Sequence, residues 1–333
     1  TCSRLGIPAD SVITGSMLQA MEESEALIRV GKARVFAELT PAQKAQIVSL
    51  IRLSGHIVGY IGDGVNDVPA LTSADVGIVV DSAAAESKKV ADLVLLERDL
   101  GVVAEGVSEG RTSFANASKY IRIASSSNFG NICSVAASSI FLPFVPATAT
   151  QLLLLNLCYD ATCLSLSWDN VDDAEIARPR AWSGKGLGSF MLHFGFASSA
   201  FDIITFAILF LGVCPAVCGA PFAALDAAGR AAFIATFQAG WLLECAWTES
   251  LVLLVLRTRS VRDGDRPCTP LVVMVAVMLV VTALLALSPV AQLFGLATLP
   301  VWYLGIVALL SVLYLVVAST IKRVYLARSS SLF

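Results

Sequence analysis

The stretch "GYIGDGVNDVPAL", residues 59–71, passes from an apolar strand-like run into two glycines and two carboxylates, and its reading fixes the fold of the first third of the chain. Gly62 and Gly64 let the backbone turn tightly where the run stops, and Asp63 and Asp67 project carboxylates from that turn. Paired carboxylates at a strand end suit a Mg²⁺ ion that must also hold a phosphate. The competing reading is a decorated turn, since Asp-Gly and Asn-Asp are common turn formers. The length of the run and its setting favour the phosphate site.

Around that stretch, strand-like runs at 33–38, 57–61, 76–80 and 92–96 alternate with helical stretches near 41–54, 67–74 and 84–90. Alternation of this kind predicts βαβ units and a parallel, doubly wound sheet, with ligands at the carboxyl ends of the strands. Upstream, "LTPAQKAQIV" predicts a helix with Thr40 as N-cap and Pro41 at its first position. Lys44, one turn in, is placed to direct its ammonium at a bound phosphate.

The rest of the chain has a different character. Of 333 residues, 56% are hydrophobic and 15% charged, with a mean hydropathy of +0.75, which points to a polytopic membrane protein. The net charge of −3 gives no reason to expect nucleic acid as a partner. The division is therefore residues 1–112, a soluble piece with its stalk, and 113–333, a membrane piece. A spanning helix needs about 20 mostly apolar residues. Six segments qualify, at about 121–142, 148–168, 190–212, 231–256, 270–288 and 300–320.

Basic residues orient these spans. Arg178, Arg180 and Lys185, then Arg257, Arg259, Arg262 and Arg266, then Lys322, Arg323 and Arg328 lie on one side; the opposite loops hold Arg230. Ten against one puts the soluble piece, both basic loops and the C-terminus in the cytosol. Trp182, Trp302, Tyr303 and Tyr325 fall near predicted helix ends, where amphipathic rings favour the interface.

Polar residues inside the spans are the informative exceptions, because an Asp at a helix centre costs about 2.5–3.5 kcal/mol on insertion scales. "NLCYDATCLSLSWD", residues 156–169, sets Asn156 and Asp160 four apart on one helix face, with Asp169 just beyond. Asn128 and Asn131, three apart, share a face of the preceding span. A short link with Pro143 and Pro146 predicts antiparallel neighbours that bring these four together. Oxygen ligands without sulfur or imidazole suit a hard cation such as Mg²⁺ or Ca²⁺. Glu244 is a further candidate ligand. The alternative for the amides is interhelical hydrogen bonding. It weakens for Asp160, as neither helix interior has a basic residue to neutralise it. Asp202, Gln238 and Glu249 read nearer to that alternative than to ligands.

Of eight Cys, Cys133, Cys158, Cys163 and Cys245 lie in apolar runs and read as small hydrophobes. Cys214 and Cys218 lie in a Pro/Gly/Ala stretch expected outside the membrane, leaving a disulfide open. The opening residues read as the middle of a longer chain.

These two halves together resemble the P-type cation-transporting ATPases, whose phosphorylation domain is of the haloacid-dehalogenase type. "GDGVNDVPAL" is similar to their hinge motif, with Val68 where Ala is usual, and "LTPAQKAQIV" to the segment bearing their phosphate-contacting Lys. The resemblance implies an α/β haloacid-dehalogenase-like (Rossmann-type) partial phosphorylation domain followed by an all-α six-helix transmembrane bundle. It implies that Lys44 neutralises an aspartyl phosphate, that Asp63 coordinates catalytic Mg²⁺, and that Asn66 and Asp67 complete the site, with ATP as substrate. "ASSSNFGN", "NLCYDATCLSLSWD" and "FMLHFGFASSAFDI" look most like the bacterial magnesium-transporting branch. Asn128, Asn131, Asn156 and Asp160 then match cation-site positions in the plasma membrane. Calcium pumps usually offer Glu at the position of Asn131, so transport of two Ca²⁺ is disfavoured. No Asp-Lys-Thr-Gly-Thr occurs, so the phosphorylated Asp, the nucleotide-binding and actuator domains and four helices are expected in a missing N-terminal portion, and this chain alone is expected to be inactive. The helix beginning near Leu100 is expected to run unbroken through Arg111, Lys119 and Arg122 as a stalk. A membrane-anchored haloacid-dehalogenase phosphatase, a pump for another divalent cation such as Ca²⁺, and a nonenzymatic membrane subunit or gene fragment are the alternatives.

Overall fold

The computed structural model describes residues 11–97, 99–180, 184, 186–258 and 266–328. Trp182, Lys185, Arg259 and Arg262 lie outside the described residues, as does the side chain of Arg328. The chain separates into two units, residues 1–106 and 107–333.

In the first unit, β1 (Val12–Thr14) leads into α1 (Gly15–Ala20) and α2 (Glu23–Val30), then β2 (Val35–Ala37) and α3 (Pro41–Leu53). β3 (Gly59–Ile61), α4 (Val68–Ser73), β4 (Val76–Val80), α5 (Ala85–Val90) and β5 (Leu93–Leu95) follow. Every strand pair is parallel, as the alternation predicts, but the strands fall into two sheets, β1-β2 and β3-β4-β5. β1, α1 and α2 precede the first strand-like run of the sequence reading and add a parallel partner to β2. Ile13, Leu18, Ala26, Val30, Ile47 and Leu50 form a core between β1 and the helices α1 to α3.

α3 starts where its sequence says it should. Thr40 Oγ1 accepts from the Gln43 N–H at 3.3 Å, and Gln43 Oε1 accepts from the Thr40 N–H at 2.9 Å, so two helix-start donors are satisfied reciprocally. Gln43 Nε2 also donates to the Gly15 carbonyl at 2.9 Å, pinning that end to the neighbouring β1–α1 segment.

The second unit is helical. α6 (Leu100–Phe141) runs for 42 residues without a break, as the stalk expectation requires, and is followed by α7 (Ala149–Leu164) with a tight turn at Ser165–Trp168. Then come α8 (Asp173–Ile176), α9 (Leu187–Ile208), a π-helical turn at Leu209–Val213 and α10 (Cys214–Cys218). α11 (Ala227–Leu256), α12 (Thr269–Leu287) and α13 (Tyr303–Arg328) complete the bundle.

Four described helical stretches, Leu187–Cys218, Ala227–Leu256, Thr269–Leu287 and Tyr303–Ala327, are long and apolar enough to cross a membrane by length and composition. α7 has 16 residues, or about 24 Å of rise, short of a hydrocarbon core of about 30 Å. The second half of α6 carries Ser125 to Ser127, Asn128, Asn131, Ser134, Ser138 and Ser139, which lower its apolar content. The first stretch also corrects an expectation. Cys214 and Cys218 sit on a helical extension of α9 rather than in a loop, and both thiols are free.

α11 is the most enclosed helix, packed against α7, α9, α12 and α13. Phe206, Phe233, Phe237, Trp241 and Tyr303 fill one half of the core, and Phe190, Phe194, Val252, Leu271 and Tyr325 the other. Tyr303 and Tyr325 are therefore interior residues rather than interface anchors. The Tyr303 hydroxyl donates to the Gly240 carbonyl at 3.1 Å. α6 and α9 meet at glycines. A Cβ on Gly195 would stand 3.0 Å from the Ser126 carbonyl oxygen, and Ser199 Oγ donates to the Gly130 carbonyl at 2.8 Å. Small residues let the two backbones approach, which inside a bilayer is what makes dispersion contacts and interhelical hydrogen bonds available.

Candidate functional sites

In the first unit, the turn after β3 carries the expected residues to the carboxyl ends of the three-stranded sheet. Ile61, Val80 and Leu95 end their strands around an open hollow of about 460 Å³ that also receives Lys44, Gly62, Asp63, Asp67 and Asp99. Asp67 is buried at the centre of its contacts. Its Oδ1 accepts from Lys44 Nζ at 2.7 Å and from the Tyr60 hydroxyl at 2.8 Å, and its Oδ2 from the Gly64 N–H at 3.4 Å. Burial works to raise this carboxyl, but the Lys44 and Tyr60 hydrogen bonds and the Lys44 charge outweigh it and hold Asp67 below the ordinary carboxylate range. The Tyr60 phenol is pushed up, first by burial and then by its bond to Asp67.

Gly62 is required by contact. A Cβ there would lie 2.6 Å from the Asp67 Cβ, so no larger residue lets Asp67 fold back under the strand end. Ser87 Oγ donates to the Gly64 carbonyl at 2.8 Å and fixes the far side of the turn. Asp63 lines the hollow and is exposed, and Asn66 is exposed in the same turn but does not line it. Lys44, Asp63 and Asp67 thus come together around one hollow. Tyr60 lies two residues before Gly62 in the quoted stretch, and only its bond to Asp67 shows its part in the site. The donor set, carboxylate oxygens beside one ammonium, fits a hard cation shared with a phosphate.

In the second unit, the candidates take different partners. Asp160 is exposed, its Oδ1 accepting from the Tyr120 hydroxyl at 3.3 Å, in a hollow of about 700 Å³ lined also by Asn116, Leu157, Leu164 and Ser167. Asn128 is exposed and Asn156 half-buried. Asn131 is buried, and its Nδ2 donates to Glu249 Oε1 at 2.9 Å, leaving its own Oδ1 buried without a hydrogen-bond partner. Glu244 joins Asp202 rather than Asn131: Asp202, Glu244 and Cys245 offer ligand atoms within 4.8 Å of one another. Gln238 bonds between helices, accepting from Gln151 Nε2 at 3.0 Å and donating to the Val145 carbonyl at 3.1 Å.

Asp169 is buried in an ionic knot. Arg257 Nε lies 2.8 and 2.7 Å from its two oxygens, Lys119 Nζ 3.1 Å from Oδ2, and the Cys268 N–H reaches Oδ1 at 3.3 Å. The acid just past the run is thus neutralised by arginine and lysine, whereas Asp160 within it takes a tyrosine. Sequence spacing gives no sign of this, since residues 119, 169 and 257 come from three separate elements.

Residues 144–324 match the family described as cation transporting ATPase, C-terminus, so the chain belongs to the cation-transporting ATPases. It is 41% identical over 303 residues to a magnesium-transporting ATPase, P-type 1, of Salmonella typhimurium strain LT2, covering 91% of this chain and 32% of that protein. The magnesium-transporting ATPase, P-type 1, of Escherichia coli K12 is 39% identical over 304 residues, with the same coverage of 91% and 32%. An endoplasmic reticulum calcium ATPase, srcA, of Aspergillus fumigatus is 35% identical over 184 residues, covering 54% of this chain and 19% of that protein. The chain spans about a third of the length of the magnesium-transporting relatives it matches.

Proposed function

We propose that this chain is the C-terminal part of an ATP-driven P-type pump that imports Mg²⁺ across the plasma membrane, with the soluble unit and C-terminus in the cytosol and six spans, α6 and α7 supplying the first two. The observation that carries it is the buried amide oxygen of Asn131, unpartnered beside the Glu249 carboxylate, a hard-donor pair that suits a divalent ion entering between α6 and α11. The names of the two bacterial relatives favour Mg²⁺ over Ca²⁺. Asn128, Asn156 and Asp160 would serve as further ligands along the path, Asp160 being released from Tyr120 when it takes the ion.

The first unit has a haloacid-dehalogenase-like part in this reading. Lys44 holds its ammonium at the carboxyl end of β3, where it would neutralise an aspartyl phosphate whose acceptor Asp lies outside this chain. Mg²⁺ held by Asp63 and Asp67, with Asn66 of the same turn completing the site, would supply further charge neutralisation to the transferring phosphoryl group. Tyr60 fixes the Asp67 carboxylate, and Gly62 and Gly64 admit the phosphate to the turn. Splitting hydrolysis through a covalent phosphoenzyme leaves this chain the tasks of positioning and charge stabilisation.

The test uses the intact pump. Asp160→Asn is expected to abolish Mg²⁺ uptake and ion-stimulated ATP hydrolysis; unchanged uptake removes Asp160 from the path. Lys44→Ala is expected to lower turnover of the phosphoenzyme, and normal phosphoenzyme level and turnover would exclude it.

A further inference from the structure

Asp99 stands where the hollow of the first unit meets the start of the 42-residue helix α6. Its Oδ1 accepts from the Gly101 N–H at 2.8 Å, which makes Asp99 the N-cap of that helix. Glycine at 101 lets the carboxylate lie over the first turn, since a Cβ there would stand 3.1 Å from Oδ1 and 3.4 Å from Oδ2. The second oxygen, Oδ2, has no donor among the described residues, and the side chain is exposed where it lines the hollow.

Without Asp99 the hollow has few oxygens to spare for a metal. Asp67 gives both of its oxygens to protein donors, Oδ1 to Lys44 and Tyr60 and Oδ2 to Gly64, which leaves Asp63 as the other uncommitted carboxylate in the lining. Mg²⁺ dehydrates reluctantly and keeps several waters, and the protons of those waters need fixed acceptors. From a ligand oxygen, through the ion and one bound water, to an outer acceptor is about 7 Å. A hollow of about 460 Å³ has room for that span. Its charged lining groups are the three carboxylates and the Lys44 ammonium, two negative charges in all, which one Mg²⁺ balances.

We propose that Asp99 is a positioning residue of the phosphoryl site, holding catalytic Mg²⁺ through a metal-bound water on Oδ2 while Oδ1 caps α6. The proposal rests on the reading of this hollow as the phosphoryl-transfer site. Asp99 holds the cap firmly when its second oxygen is engaged and loosely when it is not. The first turn of the helix that carries Asn128 and Asn131 thereby registers the state of the hollow.

The experiment uses the intact pump and two readouts. In detergent, Mg²⁺ alone is expected to slow hydrogen exchange of the Gly101 to Val103 amides at least threefold. Asp99→Asn, whose amide oxygen still caps the helix, is expected to lose that protection, and Asp160→Asn to keep it, so the ion concerned is not the one in the transport path. In sealed inside-out vesicles, the bath Mg²⁺ that gives half-maximal phosphoenzyme formation from ATP is expected to rise at least fivefold in Asp99→Asn and Asp99→Ser. The maximal rate is expected to stay within twofold, and Asp99→Glu to recover most of the shift. A residue that only caps the helix predicts no shift in either capping variant. Unchanged half-saturation, no Mg²⁺ protection in the unsubstituted pump, or protection that survives Asp99→Asn would each overturn the proposal. Normal turnover in Lys44→Ala would instead remove the phosphoryl-site reading, so the two fail separately.

Discussion

Asn131 Nδ2 donates to Glu249 Oε1 over 2.9 Å and joins α6 to α11 in the interior of the second unit. The bond uses the donor end of the amide and leaves the acceptor end for another partner. Glu249→Gln can still accept from Asn131, so the bundle is expected to keep its unfolding temperature to within a few degrees. Mg²⁺-dependent ATP hydrolysis in the intact pump is expected to fall at least tenfold, because the charge that offsets the ion is gone. Equal activity would show that Glu249 is structural.

The Asp169 knot is expected to be a stability element. Arg257→Ala leaves Asp169 with Lys119 as its one cation among the described residues and is expected to destabilise the bundle by about 3–5 kcal/mol, the usual effect of removing one member of a buried ion pair. Arg257→Ala with Asp169→Ala should cost less than the sum of the single changes. Denaturant unfolding of the three variants in detergent checks this, and additivity would show that the pair does not couple.

Gly62→Ala tests the close approach under the strand end. The added Cβ falls 2.6 Å from the Asp67 Cβ, so Asp67 must move and its 2.7 Å contact with Lys44 is expected to lengthen. A loss of about 1–3 kcal/mol in stability is expected from the overpacking, together with slower phosphoenzyme turnover. Gly64→Ala, whose Cβ would have 3.9 Å to its nearest neighbours, serves as the mild comparison.

The Lys44–Asp67 pair also predicts a pH dependence. Asp67 is held below its ordinary value in the folded chain, so its contribution to stability is fully present above the unfolded carboxylate value of about 3.9 and is lost as pH falls through the depressed folded value. Lys44→Ala removes the hydrogen bond and charge that depress it. The stability gap between the two proteins is therefore expected to be constant above about pH 5 and to narrow below about pH 4. Urea midpoints measured from neutral to acid pH decide it; a gap that widens toward acid would contradict the pairing.

The amino-acid sequence by itself determined the elements whose signals are local. Thr40 and Pro41 announce the start of α3, and the apolar run before Gly62 marks β3. The long apolar stretches mark α9, α11, α12 and α13, because periodicity, caps and glycines act within a few residues. Partnership was decided only by the tertiary structure. That Arg257 neutralises Asp169, that Asn131 meets Glu249, and that Asp202 gathers Glu244 and Cys245 all depend on how helices far apart in sequence cross. A buried charge takes whichever counter-group the packing brings within reach, and in all three cases one member is supplied by the enclosed helix α11 or its end, which no spacing along the other helices announces.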